Sequence, residues 1–162
     1  MALTIPPCLA RGWSLPLALA LLSSCGGGGS SGDGIASTSI FAATLTSAQE
    51  VPSNASAATG SGTASVDMAP KVLTAAVSTG GIVGTAAHIH NGAPGVSGPI
   101  VFPLTETSAG SGRWSTTATL TVEQLNLLLS GNYYFNVHSV AFPGGEIRGQ
   151  IIFQRATGGG GY

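Results

Sequence analysis

The sequence predicts an all-β domain, an antiparallel Greek-key sandwich or barrel crossed once by a short helix. Two observations carry this. Short runs rich in Thr, Val, Ala and Ile recur along the chain, separated by Gly- and Pro-containing turns, the pattern of strands joined by tight connections. Only one stretch breaks it with helical spacing.

The strands are taken in order. Ser39 to Thr46 alternates, with Ile40, Ala42 and Leu45 among small polar residues. Gly60 to Met68 and Val72 to Thr79 flank Ala69-Pro70-Lys71, a hairpin-like connection. Gly84 to His90, Ile100 to Leu104 and Arg113 to Leu120 follow, then Tyr133 to Val140 and Glu146 to Phe153 across a Phe-Pro-Gly-Gly turn. The helix is predicted between Thr121 and Ser130. Thr121 and Gln124 have the spacing of a capping box, and Val122, Leu125, Leu128 and Leu129 are assigned to one apolar face. Gly131 supplies the stop.

The N-terminal segment is not part of this domain. Arg11 is the only charged side chain before the apolar run Trp13 to Leu22, which is too short to span a bilayer and fits the core of a signal peptide over residues 1–24. Leu22-Ser23-Ser24-Cys25 resembles the bacterial lipobox, and that resemblance implies a lipid on Cys25 as the first mature residue. The Gly/Ser tract within residues 25–38 reads as a flexible tether, residues 39–154 as the domain, and 155–162 as a disordered glycine-rich tail. The expected location is the cell envelope, with a membrane as partner through the lipid.

Composition removes several function classes. Cys8 precedes the apolar run and Cys25 is the last cysteine, so neither a disulfide framework nor a thiolate metal site is available to the domain. Beyond Arg11, four basic side chains face six acidic ones, a balance of −2. Nucleic acid is not an expected partner, because it requires a basic patch. No Ser/His/Asp or paired-carboxylate arrangement stands out, so an enzyme has the least support. Catalysis here would have to be metal-centred.

The candidate metal ligands are the three histidines of the chain. His88 and His90 are two residues apart in a predicted strand, so they share one face and Ile89 takes the other. His138 sits in Tyr133 to Val140, opposite the apolar Phe135 and Val137. Neutral imidazole is the commonest metal ligand, and three of them suit copper or zinc. Asn136, Glu146 and Arg148 share the non-aliphatic face. Antiparallel pairing allows His138 to lie opposite Glu146, Arg148 or Gln150 but not opposite Ile147 or Gly149. Glu146 would serve as a fourth ligand or as a hydrogen-bond partner of an imidazole. Alternatively Glu146 and Arg148 form a structural hydrogen-bonded array, with or without Glu50.

Six stretches in order resemble the CHRD domain family: Gln49-Glu50-Val51-Pro52; Ala87 to Gly95 with its His-Ile-His-Asn-Gly core; Gly98-Pro99-Ile100-Val101; Leu127-Leu128 before Gly131-Asn132-Tyr133-Tyr134; Asn136-Val137-His138; and Pro143 to Gln150. The resemblance implies an all-β, extracytoplasmic domain and little about activity. A weaker fold-level likeness is to copper–zinc superoxide dismutase, which also places a His-x-His pair on one strand and a further His on a later one. The architecture is accordingly expected to be immunoglobulin-like or superoxide-dismutase-like. No histidine remains here for a fourth copper ligand or a zinc subsite. The expected function is a lipid-anchored binding module that takes one copper or zinc ion. The rival is a structural or adhesive surface domain without metal, and the third reading is a metal-dependent redox enzyme. The protein partner is not indicated.

Overall fold

Nine strands and one helix build the described part of the chain. The structure is a computed structural model that describes residues 38–155. The expected signal segment, Cys25, nearly all of the tether and residues 156–162 lie outside the described residues. The strands are β1 (Thr38–Thr46), β2 (Thr59–Asp67), β3 (Val72–Gly80), β4 (Gly84–Asn91), β5 (Ile100–Glu106), β6 (Arg113–Thr119), β7 (Tyr133–Ser139), β8 (Ile147–Gln150) and β9 (Ile152–Phe153), with helix α1 (Val122–Leu129) between β6 and β7. Every pairing is antiparallel.

Hydrogen bonding runs β2-β3-β6-β5-β4-β7-β8-β1, and β1 also pairs with β2. The ring is therefore closed, which selects the barrel over the open sandwich. Within it, β3 lies beside β6 rather than β4, the Greek-key arrangement. The β1–β8 seam is thin: Thr46 pairs with Arg148, and the next contacts are made by β9, Phe41 with Phe153 and Ala42 with Ile152.

Period-two alternation fills the interior. Phe41, Ala43 and Leu45 on β1, Leu73, Ala75 and Val77 on β3, Ala87 and Ile89 on β4, and Phe135 and Val137 on β7 are all buried in one core. Full burial of each large side chain contributes about 1.5–3 kcal/mol.

Three expectations change. On β1 the core face is Phe41, Ala43 and Leu45, one residue out of phase with Ile40 and Ala42, because the larger Phe41 takes the interior and leaves Ile40 48 % exposed. The run Glu146 to Phe153 is not one strand: Glu146 lies outside β8, and Ile151 separates β8 from β9 while its N–H still bonds Tyr133 O. The helix forms with both halves of its capping box, Thr121 accepting from Gln124 N–H and Gln124 reaching back to Thr121 N–H. However, only Leu125 and Leu128 are buried, while Val122 is 64 % and Leu129 41 % exposed. At 3.6 residues per turn those two lie roughly 90° and 70° from the midline between Leu125 and Leu128, on the flanks of the buried stripe. Among the described residues no helix is long and apolar enough to cross a membrane.

Candidate metal centre

Strand alternation sets the three histidines on the outside of the barrel wall. β4 and β7 pair with Ala86 opposite His138, His88 opposite Asn136 and His90 opposite Tyr134. Ala87, Ile89, Phe135 and Val137 point inward, so His88, His90, Tyr134, Asn136 and His138 form one outer patch. The loops after β4 and after β7 fold back over it. His90, Tyr134 and Asn136 are consequently buried, while His88 and His138 are half-buried.

Within the patch the imidazoles converge. His88 Nδ1 lies 3.0 Å from His138 Nε2, and one ligand nitrogen from each of the three rings lies within 4.8 Å of the others. Such a triangle fits on a circle of radius no larger than about 2.8 Å, against metal–imidazole bonds of ~2.0–2.1 Å. A contraction of at most about 0.7–0.8 Å at each ring would place an ion among them.

Hydrogen bonds decide which nitrogens are free. His90 Nδ1 contacts Gly98 O at 2.9 Å and His138 Nδ1 contacts Pro143 O at 3.0 Å. A carbonyl oxygen can only accept, so both rings carry their hydrogen on Nδ1 and keep a lone pair on Nε2. His90 Nε2 is buried without a hydrogen-bond partner, which costs stability unless something occupies it. His88 offers Nδ1 at the meeting point. Backbone carbonyls that fix the far nitrogen are a recurrent support for metal-ligating imidazoles.

His90 is held on a second side. Its ring stacks on Tyr134, with centroids 5.0 Å apart and planes inclined by 13°. The Arg148 guanidinium carbon lies 3.5 Å from the Tyr134 ring centroid. Because β7 runs between β4 and β8, the phenol is clasped between imidazole and guanidinium. Gly98 ties the stack to the loop: its N–H donates to Tyr134 Oη at 3.1 Å while its carbonyl accepts from His90. A Cβ at Gly98 would run into the Asn91 carbonyl oxygen.

Electrostatics favour the ligand form. Burial lowers the His88 pKa below its ordinary value, with charge on His138 and His90 adding to the shift. Burial also lowers that of His90, outweighing the hydrogen bond it donates to the Gly98 carbonyl, and His138 and Arg148 act in the same direction. Imidazolium is thus disfavoured at both rings.

The other candidate residues are engaged elsewhere. The register that puts Asn136 opposite Arg148 would put Glu146 in line with His138, but pairing ends at Ile147. The Glu146 N–H donates to Val137 O, and its carboxylate accepts from Ser56 Oγ. Asn136 donates through Nδ2 to Glu50 at 3.4 Å. Arg148, 2 % exposed, donates to Ala93 O at 3.0 Å and to Gln150 Oε1. These three are thus held by separate hydrogen bonds, Glu146 by Ser56, Asn136 by Glu50 and Arg148 by Ala93 and Gln150, rather than in one array, and the group whose nitrogens converge consists of the histidines. Tyr134, Ser56 and the Gly98 and Pro143 carbonyls were not singled out from sequence. Tyr134 carried a signal, since it alternates in phase with His138. Backbone carbonyls carry none.

A search of curated proteins finds no match to the chain, and neither does a search of solved structures. The family model described as the CHRD domain matches residues 41–151. That span covers more than half of the chain and includes the barrel, all three histidines and the loops that orient them, and the chain belongs to the CHRD family.

Proposed function

We propose that the domain binds one divalent transition-metal ion, Cu(II) or Zn(II), through His88 Nδ1, His90 Nε2 and His138 Nε2. The observation that carries this reading is His90 Nε2, a buried lone pair with no partner among the described residues, on one of three imidazoles that converge. Three neutral imidazoles suit either ion, and the chain's cysteine usage leaves no thiolate competitor. Three protein ligands leave a coordination position for water or another small molecule.

The hydrogen inventory specifies what the protein does when it takes up an ion. His138 Nε2 has only a lone pair to offer, so the 3.0 Å contact makes His88 Nδ1 the donor in the metal-free protein. That hydrogen must move to His88 Nε2 to free Nδ1. The change is a tautomer exchange on one ring, and both carbonyl-bound rings already present the required nitrogen.

The same reading places the domain in the cell envelope, held to a membrane by a lipid on Cys25. The support is the signal-like run, the Leu-Ser-Ser-Cys stretch and the Gly/Ser tract that follows it.

Metal analysis and titration calorimetry on protein without a polyhistidine tag test the site. One Cu(II) or Zn(II) per chain is expected, with binding abolished by His90→Ala. Absence of stoichiometric binding of either ion at micromolar concentration would leave the domain a structural or adhesive module.

A further inference from the structure

Glu50 and Asn136 meet in the buried layer beneath the loop from Val140 to Glu146. Asn136 Nδ2 donates to Glu50 Oε2 at 3.4 Å. The remaining oxygen of each, Glu50 Oε1 and Asn136 Oδ1, is buried with no hydrogen-bond partner among the described residues. An ideal Cβ on Gly145 would lie 2.7 Å from Asn136 Oδ1 and 2.9 Å from Glu50 Oε1, so both oxygens border the same spot. Two unpartnered acceptors buried side by side are costly, and a carboxylate would place charge on one of them. A single hydrogen on Glu50 Oε1 satisfies both.

We propose that Glu50 is held as a neutral carboxylic acid, paired with the Asn136 amide through Nδ2–H to Oε2 and Oε1–H to Oδ1, and that this pair seats the Val140–Glu146 loop. Gly145 lies against the pair at a φ of 133°, a backbone state that side chains rarely adopt. The same loop supplies the Pro143 carbonyl that orients His138. Nothing in the proposal depends on a metal. The charged groups facing this carboxyl are few. Arg148 comes from β8, Glu146 is turned to Ser56, and the imidazoles of His88 and His138 lie beyond Asn136. Burial is the dominant influence and pushes the Glu50 carboxyl up to about 7, against the opposing pull of Arg148, Asn136 and the Val51 N–H.

Glu50→Gln and Glu50→Ala in the full chain test it. The Gln amide offers the same one acceptor and one donor as a carboxylic acid, whereas Ala offers neither. A group whose folded pKa is raised stabilises below its unfolded value and loses that contribution as pH rises through the folded value. The folded-to-unfolded ratio of wild type, divided by that of Glu50→Gln, should therefore fall on the order of tenfold between pH 5 and pH 8. Taking this double ratio cancels the titration of the histidines. Glu50→Ala should lower the folded ratio by about tenfold or more relative to Glu50→Gln at every pH. A double ratio that stays level or rises with pH would mean an ionised carboxylate facing Arg148 and would overturn the proposal. Should Glu50→Gln fail to fold, isotope-edited infrared spectroscopy of wild type decides. A protonated carboxyl band from Glu50 is required at pH 6, with loss above pH 8, and its absence at pH 6 rejects the idea.

Discussion

His88 Nδ1 and His138 Nε2 stand 3.0 Å apart although fifty residues separate them. They meet because β4 and β7 are neighbours in the barrel and Ala86, opposite His138, leaves room for the ring to lean toward His88. In the metal-free protein this contact is a hydrogen bond, and an incoming ion must replace it.

Each histidine should therefore be needed for metal binding. Single changes to Ala at His88, His90 or His138 are expected to cost more than about a hundredfold in affinity, beyond the 10–100-fold that loss of an outer partner costs. Wild type at a free-ion concentration a hundred times the Kd should gain about 2.7 kcal/mol against unfolding. Calorimetry and thermal melts with and without ion check both figures, and the triple variant should fold yet show no shift in Tm.

The two depressed imidazoles should withdraw stability from the metal-free domain as the medium turns acidic, opposite in sign to the contribution of Glu50. His88 and His90 have folded pKa values below the ordinary 6.5. For a depressed imidazole, the unfolded chain binds the proton first, so stability is full above 6.5 and declines as pH falls toward the folded values. Urea denaturation from pH 7 to pH 5 in the Glu50→Gln background, which removes the opposing titration of Glu50, should show this slope, and adding His88→Gln should flatten it. Protons should also displace a bound ion at lower pH than from an ordinary imidazole site.

Glu146→Gln separates a ligand from a structural carboxylate. With Glu146 turned to Ser56, the change should leave metal affinity within about threefold and cost about 1 kcal/mol of stability through the weakened hydrogen bond. A tenfold loss of affinity without loss of stability would place the carboxylate at the ion.

Gly98→Ala should disturb the His90 stack from outside. A Cβ there meets the Asn91 carbonyl oxygen, and forcing it in should cost about 1–3 kcal/mol. Since Gly98 bonds both Tyr134 and His90, metal affinity should fall by about tenfold as well. Denaturation and titration of the same preparation measure the two effects together.

Cys25→Ala addresses attachment. In a bacterial host that processes lipoproteins, wild type should fractionate with membranes, and the variant should be released or remain unprocessed. Identical fractionation of the two would remove the lipid anchor from the reading.

Much of the barrel was legible because alternation is local information. Ala87 and Ile89, or Phe135 and Val137, declare their face within a few residues, whereas on β1 two adjacent apolar residues, Ile40 and Phe41, left the phase ambiguous and Phe41 took the core. The Thr121–Gln124 capping box likewise needs no tertiary context. The shared face of the three histidines followed from the same periodicity. What alternation does not carry is how a loop returns over that face. Asn136 and Arg148 look like solvent-side residues of a sheet, yet both are buried, because segments distant in sequence cover them. Val122 and Leu129 failed for a related reason: the residues of a two-turn helix do not specify which narrow stripe its neighbours will accept.

The two carbonyl contacts are short in sequence as well as in space. His90 and Gly98 are eight residues apart at the two ends of the β4–β5 loop, and His138 and Pro143 are five apart in the β7–β8 loop. Each hairpin thus aims its own imidazole with a carbonyl from its own turn, and closing loops that short costs little chain entropy. The pair of hairpins is in effect a portable cassette. Grafted onto two adjacent antiparallel hairpins of an unrelated barrel, with Gly98 and Pro143 retained, it should carry its ring orientations with it.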